Sequence, residues 1–300
     1  MGPTASGKTD LACKIFDEFD CEIVSVDSVM IYRGMDVGSA KPGPETLEKY
    51  PHHLIDILDP SETYSVANFR ADALRLIKEI NQRGKTPLLV GGTMLYFNAL
   101  LRGLANMPKA DPQIREKMNQ LAAEHGWEFL HARLSEVDPK AAARIHLNDP
   151  QRIQRALEVY ELSGIPISDW HAESAEVELP FNALKLALIP EDRKVLHQQI
   201  EERFDQMLKN GFLAEMQALY RRENLNDALP AMRSIGYRQG WEHLAGKYDL
   251  AAMREKAIVA TRQLAKRQHT WLRRESNLLS YPVERYQIHD VCHEIRSHLA

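Results

Sequence analysis

The run Gly2-Pro3-Thr4-Ala5-Ser6-Gly7-Lys8-Thr9 fits G-x-x-x-x-G-K-[ST] at every fixed position. A loop of this kind bends at its glycines so that its backbone N–H groups face one anion. Lys8 adds a point charge, and the Thr9 hydroxyl suits a magnesium ion. A helix starting near Thr9 directs its positive dipole end at the same anion. The pattern reads phosphate, and a nucleotide and a prenyl diphosphate look alike to it. The next acid placed to join such a site is Asp27, at the end of the apolar run CEIVSV. It suits a magnesium ligand, a general base or a turn cap. Nucleoside triphosphatases usually end a second buried strand on a carboxylate that helps hold magnesium. Here the run TPLLV ends in Gly91-Gly92-Thr93.

The elements that must position these residues follow from periodicity. Residues 10–19 read as a helix with Leu11, Ile15 and Phe16 on one side, and residues 22–26 as a buried parallel strand. Residues 53–58 form a second strand candidate. Residues 65–83 read as a helix stopped by Gly84, residues 86–90 as a third strand, and a further helix follows from Leu95. Strands alternating with helices predict a P-loop NTPase-like α/β fold, a parallel sheet flanked by helices with its site at the strand carboxyl ends. From 111 to 162 only helices are expected, with Asn148-Asp149-Pro150 a well-formed helix start. Residues 162–180 are turn-rich, residues 182–189 (NALKLALI) read as a strand returning to the sheet, and the remainder is helical. The expected division is an α/β core, 1–110 with 181–300, and a helical insertion domain, 111–180. Loops of this phosphate-binding type normally follow a strand. One residue, Met1, precedes this loop, so that strand is expected to be missing.

The 300 residues are 44% hydrophobic and 27% charged, ordinary values for a folded chain. The net charge of −4 requires any nucleic-acid surface to be locally basic. Cys13, Cys21 and Cys292 fit neither a zinc site nor a disulfide framework, and point to a reducing cytoplasm. No run approaches a membrane span, so no membrane partner is expected.

Six ordered blocks carry a more specific signal: GPTASGKTDLA, EIVSVDSVMIYRGMDVGSAKP, LLVGGTMLYFNALL, NDPQRIQRALEVYELSG, RSIGYRQGWEHL and TRQLAKRQHTWLR. Together they span Gly2 to Arg273 and resemble the tRNA dimethylallyltransferase (IPP transferase) family. Two departures from the family are the strand before Gly2 and the carboxy-terminal zinc finger of eukaryotic relatives, and a bacterial-type member, acting as a monomer, is expected.

The resemblance implies transfer of a dimethylallyl group from dimethylallyl diphosphate to N6 of adenosine 37 in tRNA, with Mg2+ as cofactor. It implies Asp27 as the group that takes the amine proton, with Thr93 beside it. It implies that residues Gly2 to Thr9 and Arg203 hold the diphosphate, with Thr9 on the metal. Asp27, Ser28, Val29, Met30 and Thr93 would line the adenine pocket. Arg115, Gln151, Arg152, Ile153, Gln154, Arg155, Arg233, Ser234, Ile235, Gly236, Tyr237 and Arg238 would contact tRNA. Residues 254–274 add a basic amphipathic helix, with Arg262, Lys266, His269 and Arg273 on one face and Thr261, Leu264, Gln268, Trp271 and Leu272 on or near the other. The first face suits phosphates and the second the core. The rivals are a small-molecule or nucleoside kinase using ATP, opposed by the missing second acid, and a non-catalytic RNA-binding protein, opposed by the intact GKT and Asp27.

Overall fold

The computed structural model describes residues 1–173 and 181–300. In chain order the elements are α1 (Lys8–Glu18), β1 (Cys21–Val26), α2 (Pro44–Lys49), β2 (His52–His53), α3 (Val66–Gln82), β3 (Thr86–Gly91) and α4 (Met94–Arg102). They continue with α5 (Pro112–Val137), α6 (Pro139–Ala142), α7 (Pro150–Ser163), α8 (Ile167–Glu173), β4 (Lys185–Ile189) and α9 (Arg193–Lys209). The last are α10 (Phe212–Tyr220), α11 (Tyr237–Leu244), α12 (Leu250–Leu272), β5 (Leu278–Pro282) and α13 (Ile288–Leu299).

The α/β alternation is borne out. β1 lies between β2 and β3, parallel to both, with Val26 opposite Gly91. That register places Asp27 and Thr93 at the same end of adjacent strands. β1 is buried at every position but Glu22 because both its faces are covered, by Phe69, Leu76 and Ile80 of α3 among others. Helix starts follow their capping chemistry. Ser65 and Asn68 form a reciprocal capping box on α3, and Asp149 accepts the Arg152 N–H at α7 with Pro150 in the first turn.

Two strand expectations are corrected. The run 53–58 is strand only at His52–His53, because Leu54 and Asp56 take φ of 63° and 56°, which breaks the extended backbone. Leu58 returns only as a single bridge to Tyr32. β4 does not pair with β1 or β3. It runs parallel to β5, which sequence periodicity missed, and its other pairing is with Met1, whose N–H groups donate to the Leu186 carbonyl at 2.7 Å and whose carbonyl accepts from Leu188 at 3.1 Å. Met1 thus takes the strand-like place before the phosphate loop. Side chains bridge the two ladders: Val24, Val26, Phe69 and Phe97 pack in one cluster with Ala187, Leu272 and Met1.

The chain divides into two compact units, Met1–Leu100 with Phe181–Ala300, and Leu101–Pro180. The second unit packs α5, α6 and α7 around Met118, Leu130, Leu134, Ile153 and Leu157. α5 is broken at Gly126, where φ is 83°. Of the turn-rich stretch expected at 162–180, residues 174–180 lie outside the described residues; before them stands α8. Among the described residues no helix is long and apolar enough to cross a membrane.

Candidate active site

The phosphate loop closes as its residue types require. Gly7 takes φ 75° and starts α1, whose first turn carries Lys8 and Thr9. A Cβ on Gly2 would lie 2.6 Å from the Leu188 carbonyl oxygen and 2.7 Å from Ser6 Oγ, so only glycine lets the loop enter this close to β4. Lys8 Nζ donates to the Pro3 carbonyl at 2.5 Å and straps the loop shut. Burial and the charge of Arg203 push the Lys8 ammonium down to about 7, against the opposing pull of Asp27. Arg203 is lowered as well, by burial, again opposed by Asp27.

Residues 4–9 line a cavity of about 680 Å³ in the first unit, together with Asp27, Ser28, Val29, Met30, Thr93, Arg203, Arg233, Ser234, Ile235 and Gly236. The structure therefore brings most of the predicted diphosphate set and adenine set into one space. Gly2 and Pro3 sit behind the loop, buried. A second cavity, of about 620 Å³, shares Ala5, Ser6, Gly7, Asp10 and Arg203 with the first.

Asp27 is held by its own turn. Its Oδ1 accepts the backbone N–H groups of Val29 at 2.8 Å and Met30 at 3.2 Å. Oδ2 carries no hydrogen bond among the described residues. The turn-cap reading and the general-base reading are therefore compatible, one oxygen for each. Thr93 does not cap α4 with its hydroxyl. Its Oγ1 accepts the Ser28 N–H at 3.1 Å and lies 3.4 Å from Ser28 Oγ, which ties the end of β3 to the Asp27 turn.

Several predicted tRNA contacts stand elsewhere. Arg115 and Gln151 to Arg155 belong to the second unit. There Arg115 binds Glu158 twice, at 2.7 and 3.1 Å, Arg155 binds it at 2.7 Å, and the Asp111 N–H adds a fourth bond at 2.9 Å. Burial pushes the Glu158 carboxyl up, but these bonds more than reverse it and hold it below its ordinary value. Two side chains in the predicted set are corrected outright. Ile153 and Tyr237 are fully buried, Ile153 within the α5–α7 core and Tyr237 against Phe212 with its hydroxyl on Glu215, so neither presents a side chain to RNA. Gln151, Arg152, Arg233, Arg238, Lys266 and Arg273 are exposed. Arg262 is half-buried in an ion pair with Glu201 at 3.1 Å. The second face of α12 is also corrected. Thr261, Leu264 and Gln268 line the cavity, and Trp271, two turns past Leu264 on the same side, is exposed; the core stripe is Met253, Ala257, Ile258, Ala265, Gln268 and Leu272.

Two features escaped the sequence. Gly38, Ser39, Ala40 and Pro42 form part of the cavity wall, and the Ser39 carbonyl lies 3.5 Å from Arg203 Nη2. Their loop is fixed by Glu215, which accepts the N–H groups of Asp36, Val37 and Gly38 at 2.7–3.0 Å and the Tyr237 hydroxyl at 2.6 Å. A lone glutamate in a helix gives no sequence signal for a contact nearly 180 positions away. The other is Gln268, which joins the loop to β3.

No three His, Cys, Asp or Glu side chains converge as a metal site among the described residues. For a metal beside the phosphates the cavity instead offers the Thr9 hydroxyl. That sparse provision fits magnesium, which binds through one or two protein oxygens and takes the rest from phosphate and water.

Residues 30–275 match the IPP transferase family. The tRNA dimethylallyltransferase of Thioalkalivibrio sulfidiphilus is 56% identical over 299 residues, covering all of this chain and 93% of that protein. That of Methylococcus capsulatus is 57% identical, covering 92% and 88%. The full-length tRNA isopentenylpyrophosphate transferase of Bacillus halodurans superimposes with a TM-score of 0.72 at 36% identity, over 99% of this chain and 94% of that one. A eukaryotic dimethylallyltransferase acting on tRNA gives 0.75 at 28% identity, over 90% and 68%. By extent of match and level of identity, the chain belongs to the IPP transferase family.

Proposed function

We propose that this protein transfers a dimethylallyl group from dimethylallyl diphosphate to N6 of adenosine 37 in tRNA, releasing diphosphate. The observation that carries the reading is the shared cavity: a phosphate loop with Arg203 lines it together with an acid, Asp27, whose Oδ2 carries no hydrogen bond. In the transfer, the allylic C–O bond breaks and an N6–C bond forms. The amine lone pair is delocalised into the adenine ring, so the nucleophile needs orientation and a proton acceptor. Asp27 Oδ2 takes the N6 proton as the bond forms. Negative charge grows on the departing diphosphate, and the loop N–H groups, Lys8 and Arg203 stabilise it. Magnesium held at Thr9 would neutralise part of that charge.

The base must leave its stack to reach Asp27, and Ser28, Val29 and Met30 form the wall it meets. We assign RNA backbone contacts to the exposed Gln151, Arg152, Arg233, Arg238, Lys266 and Arg273, and an RNA-binding role to the unit Leu101–Pro180. The kinase reading gains nothing, since β3 runs through Gly91 into Gly92 and Thr93 without a carboxylate. The test is incubation with labelled dimethylallyl diphosphate, magnesium and unmodified tRNA carrying adenosine 37. Label should pass to the tRNA. No transfer, with ATP turned over instead, overthrows the proposal.

A further inference from the structure

We infer that Gln268 is a positioning residue for the transfer, its side-chain amide locking the phosphate loop to the end of β3 and so setting the separation between the diphosphate cradle and the Asp27–Thr93 pair. The inference rests on the functional reading above. Gln268 is 6% exposed on α12. Its Oε1 accepts the Thr4 N–H at 2.8 Å, and its Nε2 donates to the Gly92 carbonyl at 2.8 Å. The partners fix the amide's orientation, one being a donor and the other an acceptor. A glutamate could keep the first bond but not donate the second, and a methionine would make neither.

The bonds continue beyond Gln268. Gly92 is followed by Thr93, whose N–H donates to the Val26 carbonyl at 3.2 Å and whose hydroxyl accepts from Ser28 N–H. Ser28 belongs to the turn that Asp27 caps. A hydrogen-bonded path therefore runs from the loop, through Gln268 and Thr93, to the carboxylate. The path commits the Thr4 N–H to alignment, although this loop type usually aims its N–H groups at the anion. Gly92 makes room for it: a Cβ there would come within 2.5 Å of Gln268 Nε2. Packing does not call for an amide, because Ala265 and Leu272 share the buried stripe of α12 with Gln268.

The reacting carbon and nitrogen must approach within about 3–3.5 Å, and a misplacement of about 1 Å can cost about 10²-fold in rate. The test uses the full chain with Gln268→Met, Gly92→Ala and the double variant. It measures single-turnover rates at saturating dimethylallyl diphosphate and tRNA, separate affinities for inorganic diphosphate and tRNA, and thermal midpoints. Each single variant should slow the saturated step about 30–100-fold, with affinities within about threefold of the parent. Because both break one clamp, the double variant should be no slower than the worse single one. A saturated rate within about threefold of the parent in a folded variant, additive losses, or proportionate loss of rate and both affinities would overturn the inference. Gly92→Ala leaves the glutamine in place and keeps the test decisive if Gln268→Met does not fold. Asp27→Ala, run in parallel, separates the two levels: full transfer by it refutes the role of Asp27, whereas a dead Asp27→Ala beside a fully active Gln268→Met refutes the clamp alone.

Discussion

Replacing Asp27 by asparagine separates its two jobs. The side-chain carbonyl of asparagine can still accept the Val29 and Met30 N–H groups that Oδ1 accepts now. The turn should therefore stand, with a stability change below about 1 kcal/mol. The second oxygen becomes an amide NH2, which donates where the substrate amine also donates and takes no proton. Loss of a general base costs about 10²–10⁴ in rate, or about 2.7–5.5 kcal/mol in the barrier. Alanine removes both functions: the same chemical loss is expected, plus about 1–2 kcal/mol of stability from two backbone donors left to partial solvation. The assay is single-turnover transfer at saturating substrates beside thermal unfolding of each variant, with tRNA affinity measured separately. Asp27→Asn should be slow, stable and fully competent to bind tRNA. A rate within about tenfold of the parent would show that the proton goes elsewhere and would refute the assignment. An Asp27→Asn variant as unstable as Asp27→Ala would refute the turn's reliance on Oδ1.

Other outcomes follow from the same contacts. Lys8 has a pKa of about 7 in the folded chain against 10.5 ordinarily; below that value its charge is buried at a cost, so its contribution to stability should rise as pH climbs from about 7 toward 10.5. Diphosphate needs the charged form, so binding at pH 8 should take up a proton, seen by calorimetry in buffers of different ionisation enthalpy; no uptake would refute the shifted lysine. Glu158→Gln should lower stability by about 2–3 kcal/mol, less than the about 3–5 of a fully buried broken pair because Arg115 and Arg155 are partly exposed; an unchanged denaturation midpoint would show the network to be idle. Affinity for tRNA should fall steeply between low and physiological salt, and Lys266→Ala and Arg273→Ala should each reduce the slope by about 1; a flat salt dependence would remove α12 from the RNA surface.

What the sequence disclosed and what it withheld divide along a physical line. The phosphate loop, β1, β3 and Asp27 were legible because their signals are local: fixed glycine spacing, short apolar runs, a polar residue at a strand end. Helix starts such as Ser65 and Asp149 were legible for the same reason. The truncation of β2 was hidden, since it depends on Leu54 and Asp56 adopting left-handed φ that their residue types do not announce. The pairing of Arg115 and Arg155 was hidden as well, because nothing local showed that Glu158 would be buried between them. Glu215 and Gln268 were hidden too. Each acts through backbone groups far away in sequence, and backbone donors and acceptors carry no side-chain signature.

Those two hidden residues explain how a common phosphate loop serves an uncommon reaction. In a triphosphatase the second strand end carries an acid that works on the metal. Here the chain after β3 has no acid, and its groups are spent on alignment: the Gly92 carbonyl on Gln268, the Thr93 hydroxyl on Ser28. The acid, Asp27, stands instead just past the end of β1, one strand across, and in the proposed transfer it meets the nucleophile rather than a metal-bound phosphate. Glu215 fixes the loop bearing Ser39 beside Arg203. Alkyl transfer to a weak amine gains little from activating the phosphate's own oxygens and much from holding nucleophile and leaving group in line. The polar groups around this cavity are distributed as that requirement demands, with charge at the loop, a proton acceptor at β1, and hydrogen bonds holding the two in register.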